Sequence, residues 1–278
     1  MTPSKVSVII VNWNAAASLA QCLDSIKYPH LEVIIIDNAS DEPYIPPTKV
    51  IYIKNKTNVG LPKAWNQGLK LATGDYYLIL NPDTRLPENF FTKAIDFAKS
   101  HPDMGVIGPE LINPDGTLQG SIFNELSVFK FTPKYSLPSV SVVNAISGAC
   151  MFFPKEVLKK IGPFTEQVFM YYEDLDYCRR IRKSGLKVYF NPEIKVVHEH
   201  GTSTKKSPTE KYRNLIETLI YPLRKLLNKP NQVNSVERYR TEAGIWYNGW
   251  FKQLLITSII WSKERFQRLL KSSGIISQ

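Results

Sequence analysis

The chain has 278 residues, 43% hydrophobic, 12% aromatic and 22% charged, which excludes a disordered or fibrous chain and fits one large globular domain with an appendage. Its formal net charge is +10, and residues 201–278 hold 14 Lys or Arg against 5 Asp or Glu, so almost all of the excess lies in that last segment. The longest apolar runs, such as Val8 to Val11 and Val33 to Ile36, stop far short of the roughly 20 residues of a spanning helix. The N-terminus has neither the length nor the cleavage site of a signal peptide, and Cys22, Cys150 and Cys178 have neither the parity of a disulfide framework nor metal-like spacing. The expectation is a cytoplasmic chain with reduced thiols.

In chain order, the β-branched run Lys5 to Asn12 predicts a strand, Ala15 to Ile26 a helix, and Leu31 to Asp37 a second strand. Val50 to Lys54 predicts a third strand, Leu61 to Ala72 a helix and Tyr76 to Leu80 a fourth strand. Apolar strands alternating with helices give an α/β, Rossmann-like, doubly wound and mostly parallel sheet, with ligands expected beyond the strands' carboxyl ends. Polar residues gather at those ends: Asn12, Trp13 and Asn14 after the first strand, Asp37, Asn38, Ala39 and Ser40 after the second, Asn81, Pro82 and Asp83 after the fourth. Each group taken singly is also ordinary turn chemistry.

No G-x-G-x-x-G follows the first strand and no G-x-x-x-x-G-K-[ST] occurs, which argues against a dinucleotide enzyme or a P-loop NTPase. The strand ends offer carboxylates and amides instead. One acidic residue there can accept hydrogen bonds from a base or ribose, and a second can hold a divalent metal against a diphosphate. Glu173, Asp174 and Asp176 suit the first turn of a helix, with Asp176 spaced to pair with Arg180, and Lys195 to Glu199 predicts a strand carrying His198 with His200 beyond it.

The C-terminal segment is predicted to be helical. Leu215, Ile216, Leu219, Ile220, Leu223, Leu226 and Leu227 recur at helical spacing among Lys211, Arg213, Arg224 and Lys225, interrupted at Pro222. An aromatic-rich stretch from Ile245 to Trp261 is followed by Lys263, Arg265, Arg268 and Lys271. Tryptophans beside cations suit an anionic membrane surface, and packing on the main domain or on a second subunit of a homo-oligomer is the competing reading. The continuous aliphatic face speaks against nucleic acid as the partner.

VSVIIVNWN, DNAS (Asp37 to Ser40), NVGLPKAWNQGLKLATGDYYLILNPDT (Asn58 to Thr84), SGACMFFPKEVLKKIGPF (Ser147 to Phe164), FMYYEDLDYCRRIRKSG (Phe169 to Gly185) and HEHGTS (His198 to Ser203) closely resemble family 2 glycosyltransferases, in particular the rhamnosyltransferase-like branch. The resemblance covers residues 5–203 in the family's order. It implies a GT-A catalytic domain over 1–203, with a nucleotide-sugar-binding half, 1–110, and an acceptor and base half, 111–203, followed by a basic helical tail, 204–278. It also implies a nucleotide-sugar donor, a divalent cation (Mn²⁺ or Mg²⁺) and transfer with inversion.

Carried over residue by residue, the resemblance makes Asp174 the general base with Glu173 beside it, and Asp83 and His198 the metal ligands. Asn12, Asn14, Asp37, Asn38, Asn58, Gly60, Lys63, Asn66 and Asn81 fall on the nucleotide-sugar side, and Ser147, Gly148 and Tyr172 on the acceptor side. Asn81 stands where the metal motif of the wider family has its first Asp, which leaves one carboxylate and implies weak metal binding without nucleotide. Lys63 and Trp65 replace small residues. Thr165 replaces an Asp, a change expected to be structurally minor.

The implied activity is transfer of one sugar, L-rhamnose from dTDP-rhamnose, to a lipid-linked or growing bacterial surface polysaccharide, by a chain resting on the inner face of the cytoplasmic membrane. A UDP-sugar donor (GlcNAc, galactose or galactofuranose) is the alternative, with a non-catalytic or nucleic-acid-binding α/β protein further off.

Overall fold

The computed structural model describes residues 4–42, 44–127, 130–170 and 172–199, and of 124–127 and 130–134 the backbone alone. The basic tail and His200 lie outside the described residues. In chain order come β1 (Val6–Asn12), α1 (Ala16–Ser25), β2 (Leu31–Asp37), β3 (Val50–Lys54), α2 (Leu61–Leu71) and β4 (Tyr76–Leu80), all within a residue of the bounds read from composition. Next are β5 (Thr84–Arg85), α3 (Phe90–Ser100), β6 (Met104–Ile112), β7 (Ile122–Ser127), β8 (Lys130–Lys134), β9 (Ser141–Val142) and β10 (Ala145–Ile146). β11 (Cys150–Pro154), α4 (Lys155–Ile161), α5 (Glu173–Lys183) and β12 (Lys187–His198) follow.

The main sheet runs β3-β2-β1-β4-β11-β6-β12-β5, with β9 also on β12, and a small sheet is ordered β10-β7-β8. β3, β2, β1 and β4 are mutually parallel, as are β6 and β12, while β11 is inserted antiparallel between β4 and β6. The two predicted halves therefore share one sheet. Among the described residues no helix is long and apolar enough to cross a membrane.

Strand alternation divides the core between the two faces of the sheet. Val6, Val8 and Ile10 of β1 join Leu19 and Cys22 of α1 and Phe90, Phe91, Ala94 and Ile95 of α3 in one apolar cluster. Ile9 and Val11 join Ala64, Trp65 and Leu69 of α2 and Tyr177, Cys178 and Ile181 of α5 in the other. Gly68 lets α2 press close against β1, because a Cβ there would lie 2.5 Å from Cγ2 of Ile9. This packing fixes the ends of β1, β2 and β4 at one edge, where the polar residues cluster.

Candidate active site

The β1–β2 register sets Asn12 opposite Asp37 at the carboxyl edge. Asn12 Nδ2 donates to Asp37 Oδ2 at 2.9 Å and to Ser40 Oγ at 3.2 Å, and the Ser40 N–H donates to Asp37 Oδ1 at 2.8 Å. Burial, then the nearby Asp37 charge, push the Tyr52 hydroxyl up to about 12. Asp37 is fully buried, with a donor on each carboxylate oxygen. Ser40, which also accepts the Asn14 N–H at 2.9 Å, is a hub that sequence reasoning left out of the site, although it stands within the quoted DNAS run. Asn14 (φ 52°) and Ala39 (φ 66°) are left-handed, a conformation unfavourable for alanine, and bend both loops over this cluster.

Asn38 braces the next loop. Its Nδ2 donates to Asn58 Oδ1 at 2.8 Å, and its Oδ1 accepts the Val59 N–H at 3.0 Å and Asn55 Nδ2 at 3.1 Å. Gly60 caps α2 at φ 88°, and a Cβ there would lie 2.8 Å from the Phe169 carbonyl. Asn66 is 2% exposed and clamps α2 to a distant loop: its Nδ2 donates to the Phe164 carbonyl and to Glu166 Oε1, both at 2.9 Å, and its Oδ1 accepts the Phe164 N–H at 2.9 Å. Of the residues read from sequence as facing the donor, Asn38 and Asn58 are bonded to one another's loops and Asn66 to the segment of Phe164 and Glu166, whereas Lys63 is exposed on the first turn of α2.

Beyond β4, Asp83 and His198 are both buried, with His198 Nε2 3.3 Å from Asp83 Oδ1 and 3.4 Å from Asn81 Nδ2. β12 brings the histidine there by pairing with β5, His198 opposite Thr84. Gln119 bonds both the ring and the backbone of His198. Nothing in the sequence singled out that glutamine. Among the described residues no three His, Cys, Asp or Glu side chains form a metal cluster. One carboxylate oxygen and one imidazole nitrogen side by side nevertheless fit two corners of a Mn²⁺ or Mg²⁺ site whose remaining ligands come from phosphate and water.

Glu173 and Asp174 open α5 as predicted, directly after Tyr172, whose φ of 83° swings the chain into the helix. Acidic Glu173, Asp174 and Asp176 in the first turn and Arg180, Arg182 and Lys183 in the last suit the helix dipole. Asp176 is structural: Arg180 Nε donates to it at 3.0 Å and the Thr165 hydroxyl at 2.6 Å. Thr165 is thus more than the minor replacement expected, since an Asp at that position would set two carboxylates together. Asp174 Oδ2 accepts the Gly148 N–H at 2.9 Å and Oδ1 the Leu175 N–H at 2.8 Å.

Burial raises the Asp174 pKa above the usual carboxylate value, and those two N–H donors temper the rise. Glu173 is raised well above its usual value, by burial first and the Asp174 charge second, and its Oε2 has no hydrogen-bond partner among the described residues. The two carboxyls, buried side by side, therefore resist being ionised together. Gly148 sits between Trp65 and Asp174, where a Cβ would lie 3.0 Å from Cη2 of Trp65. The adjoining Ala149 carbonyl accepts the Asn81 N–H at 2.9 Å, so a short bonded path joins Asp174 to the Asn81, Asp83 and His198 group.

Comparison with known proteins bears on the fold and the family. The O-antigen biosynthesis protein RfbC of Myxococcus xanthus is 23% identical over 224 residues, 72% of this chain but only 18% of that protein. The dTDP-rhamnosyl transferase RfbF of Shigella flexneri is 25% identical over 215 residues, 73% of this chain and 72% of that one. The fold is shared with the mannosyltransferase PcManGT of Pyrobaculum calidifontis, solved with GDP-Man and Mn²⁺, at a TM-score of 0.59 and 17% identity over 99% of this chain and 81% of that chain. The sheet is a GT-A sheet. Residues 7–162, more than half of the chain, match Glycosyl transferase family 2, and the chain belongs to that family.

Proposed function

We propose that this chain is an inverting, metal-dependent glycosyltransferase that moves one L-rhamnose from dTDP-L-rhamnose to a hydroxyl of a lipid-linked or growing surface glycan. The observation that carries the reading is the Glu173–Asp174 pair, buried at a helix start and joined through Gly148 to the Asn81, Asp83 and His198 group.

Asp174 is the base. Its raised proton affinity suits it to take the acceptor's hydroxyl proton as that oxygen bonds the anomeric carbon and the bond to the diphosphate breaks on the opposite face. The Gly148 N–H holds the carboxylate in place, and burial raises the proton affinity of Glu173, which disfavours a second charge beside it. A divalent ion bound by Asp83, His198 and the diphosphate would offset the charge gathering on the leaving group. At the other end, Asn12 Oδ1 is buried without a donor among the described residues and supplies an acceptor for a pyrimidine N–H. The Shigella relative's name supports dTDP-rhamnose as donor, and the tail's charge supports docking at an anionic membrane face.

Thermal shift with dTDP, UDP, GDP and CDP, each with Mn²⁺ or chelator, tests the reading. A ligand at 100 times its Kd stabilises by about 2.7 kcal/mol. The expected result is a metal-dependent shift with dTDP. A shift with UDP alone moves the donor to a UDP-sugar, and no shift with any nucleotide overturns the donor site.

A further inference from the structure

After β6 the chain turns tightly through residues 113–117, with Gly116 at φ 83°, and returns so that Leu118 bridges Ile112. The side chains of this exposed turn form a hydrogen-bond chain with only one consistent direction, and it ends on the His198 ring.

The Asp115 carboxylate can only accept, so the Thr117 hydroxyl donates to it at 2.7 Å. Its proton committed, Thr117 Oγ1 accepts from Asn113 Nδ2 at 2.8 Å, which orients that amide. Asn113 Oδ1 then faces Gln119 Nε2 at 2.6 Å, and the same nitrogen donates to the His198 carbonyl at 2.5 Å. Both hydrogens of the Gln119 amide are thereby directed at acceptors. Its Oε1 is left facing His198 Nδ1 at 2.9 Å, a contact that requires the proton on Nδ1.

A contrary pull exists on the other side of the ring. Asp83 Oδ1, 3.3 Å from Nε2, would draw the proton of a neutral ring to Nε2 and remove the lone pair that a cation needs. We infer that Gln119, oriented by Asn113, Thr117 and Asp115, is a positioning residue that holds neutral His198 in its Nδ1–H form and keeps Nε2 as a ligand atom beside Asp83. This rests on the reading of Asp83 and His198 as a divalent-cation site. The general pattern is that the far nitrogen of a metal-binding imidazole is tied to an acceptor that fixes its tautomer.

The full 278-residue chain, labelled with ¹⁵N-histidine and free of metal, reports the tautomer through long-range ¹H–¹⁵N correlations at mildly alkaline pH, with the His198 signal identified by its loss in His198→Gln. The expected wild-type pattern is a protonated Nδ1. Gln119→Met moves the proton to Nε2, and Thr117→Val, a change on the exposed turn, moves it partway. Mn²⁺ affinity in the presence of dTDP or UDP, read by electron paramagnetic resonance, falls roughly 10- to 100-fold in Gln119→Met. A protonated Nδ1 that persists in both Gln119→Met and Thr117→Val overturns the inference, as does a wild-type ring protonated on Nε2. If the tautomer moves as expected but neither Gln119→Met nor Asp83→Asn changes Mn²⁺ affinity, the metal reading falls and the tautomer assignment stands.

Discussion

The two ends of the site are built on opposite electrostatic plans. At the end of β2, Asp37 is buried with donors from Asn12 and Ser40, one on each oxygen, so the protein itself solvates the carboxylate. At the start of α5, Glu173 and Asp174 are buried together with two backbone donors on Asp174 and an unbonded oxygen on Glu173. A saturated carboxylate orders loops. An undersupplied pair keeps a raised proton affinity, which a base requires and which disfavours the folded state.

Breaking each end separates the plans. Asp174→Asn is expected to lower transfer by roughly 10²- to 10⁴-fold with donor affinity unchanged, and transfer at the wild-type rate would remove Asp174 as base. The acid limb of the wild-type rate profile should lie above the ordinary carboxylate range, the direction in which burial moves Asp174.

At the other end, Asp37→Ala should cost about 1–3 kcal/mol for each donor it orphans, visible as a large drop in the urea midpoint, and a small drop would deny Asp37 its bracing role. Gly68→Ala tests the scaffold between the ends, at about 1–3 kcal/mol, because its Cβ would overlap Ile9.

The smallest effect has the opposite sign. Burial raises Glu173 in the folded chain above its ordinary, unfolded value, so wild-type stability falls as pH rises between those two values. Glu173→Gln removes that slope and should melt higher than wild type at neutral pH, with the gap closing in acid. Parallel melting curves across pH would show that Glu173 is not raised.

The strands and helices were legible because each is a local pattern: apolar or β-branched runs for β1 to β4, helical composition for α1 and α2, and a carboxylate-rich first turn for α5. What the sequence hid is long-range. Asn66 reads as a ligand contact by motif, yet its partners lie 98 and 100 residues away, and no spacing rule reaches them. Gln119 meets His198 across 79 residues for the same reason. Ser40 was named among the polar residues after the second strand but given no site role, because a serine after Asn-Ala is ordinary turn chemistry until β1 sets Asn12 beside it. The antiparallel course of β11 was also absent from the alternating pattern, since CMFFP is apolar in either direction.

That reversal has a mechanical consequence. Because β11 runs opposite to β4, with Cys150 opposite Leu80, the residues that lead into β11 emerge at the edge where β4 ends. Ser147 and Gly148 are therefore anchored to the same ladder as Asn81, with a further backbone bond from Asn81 to Ala149. A gap set by neighbouring rungs of one sheet cannot open by rotation about a hinge. Adaptation to a different acceptor has to come from side chains and loops above a spacing that stays constant.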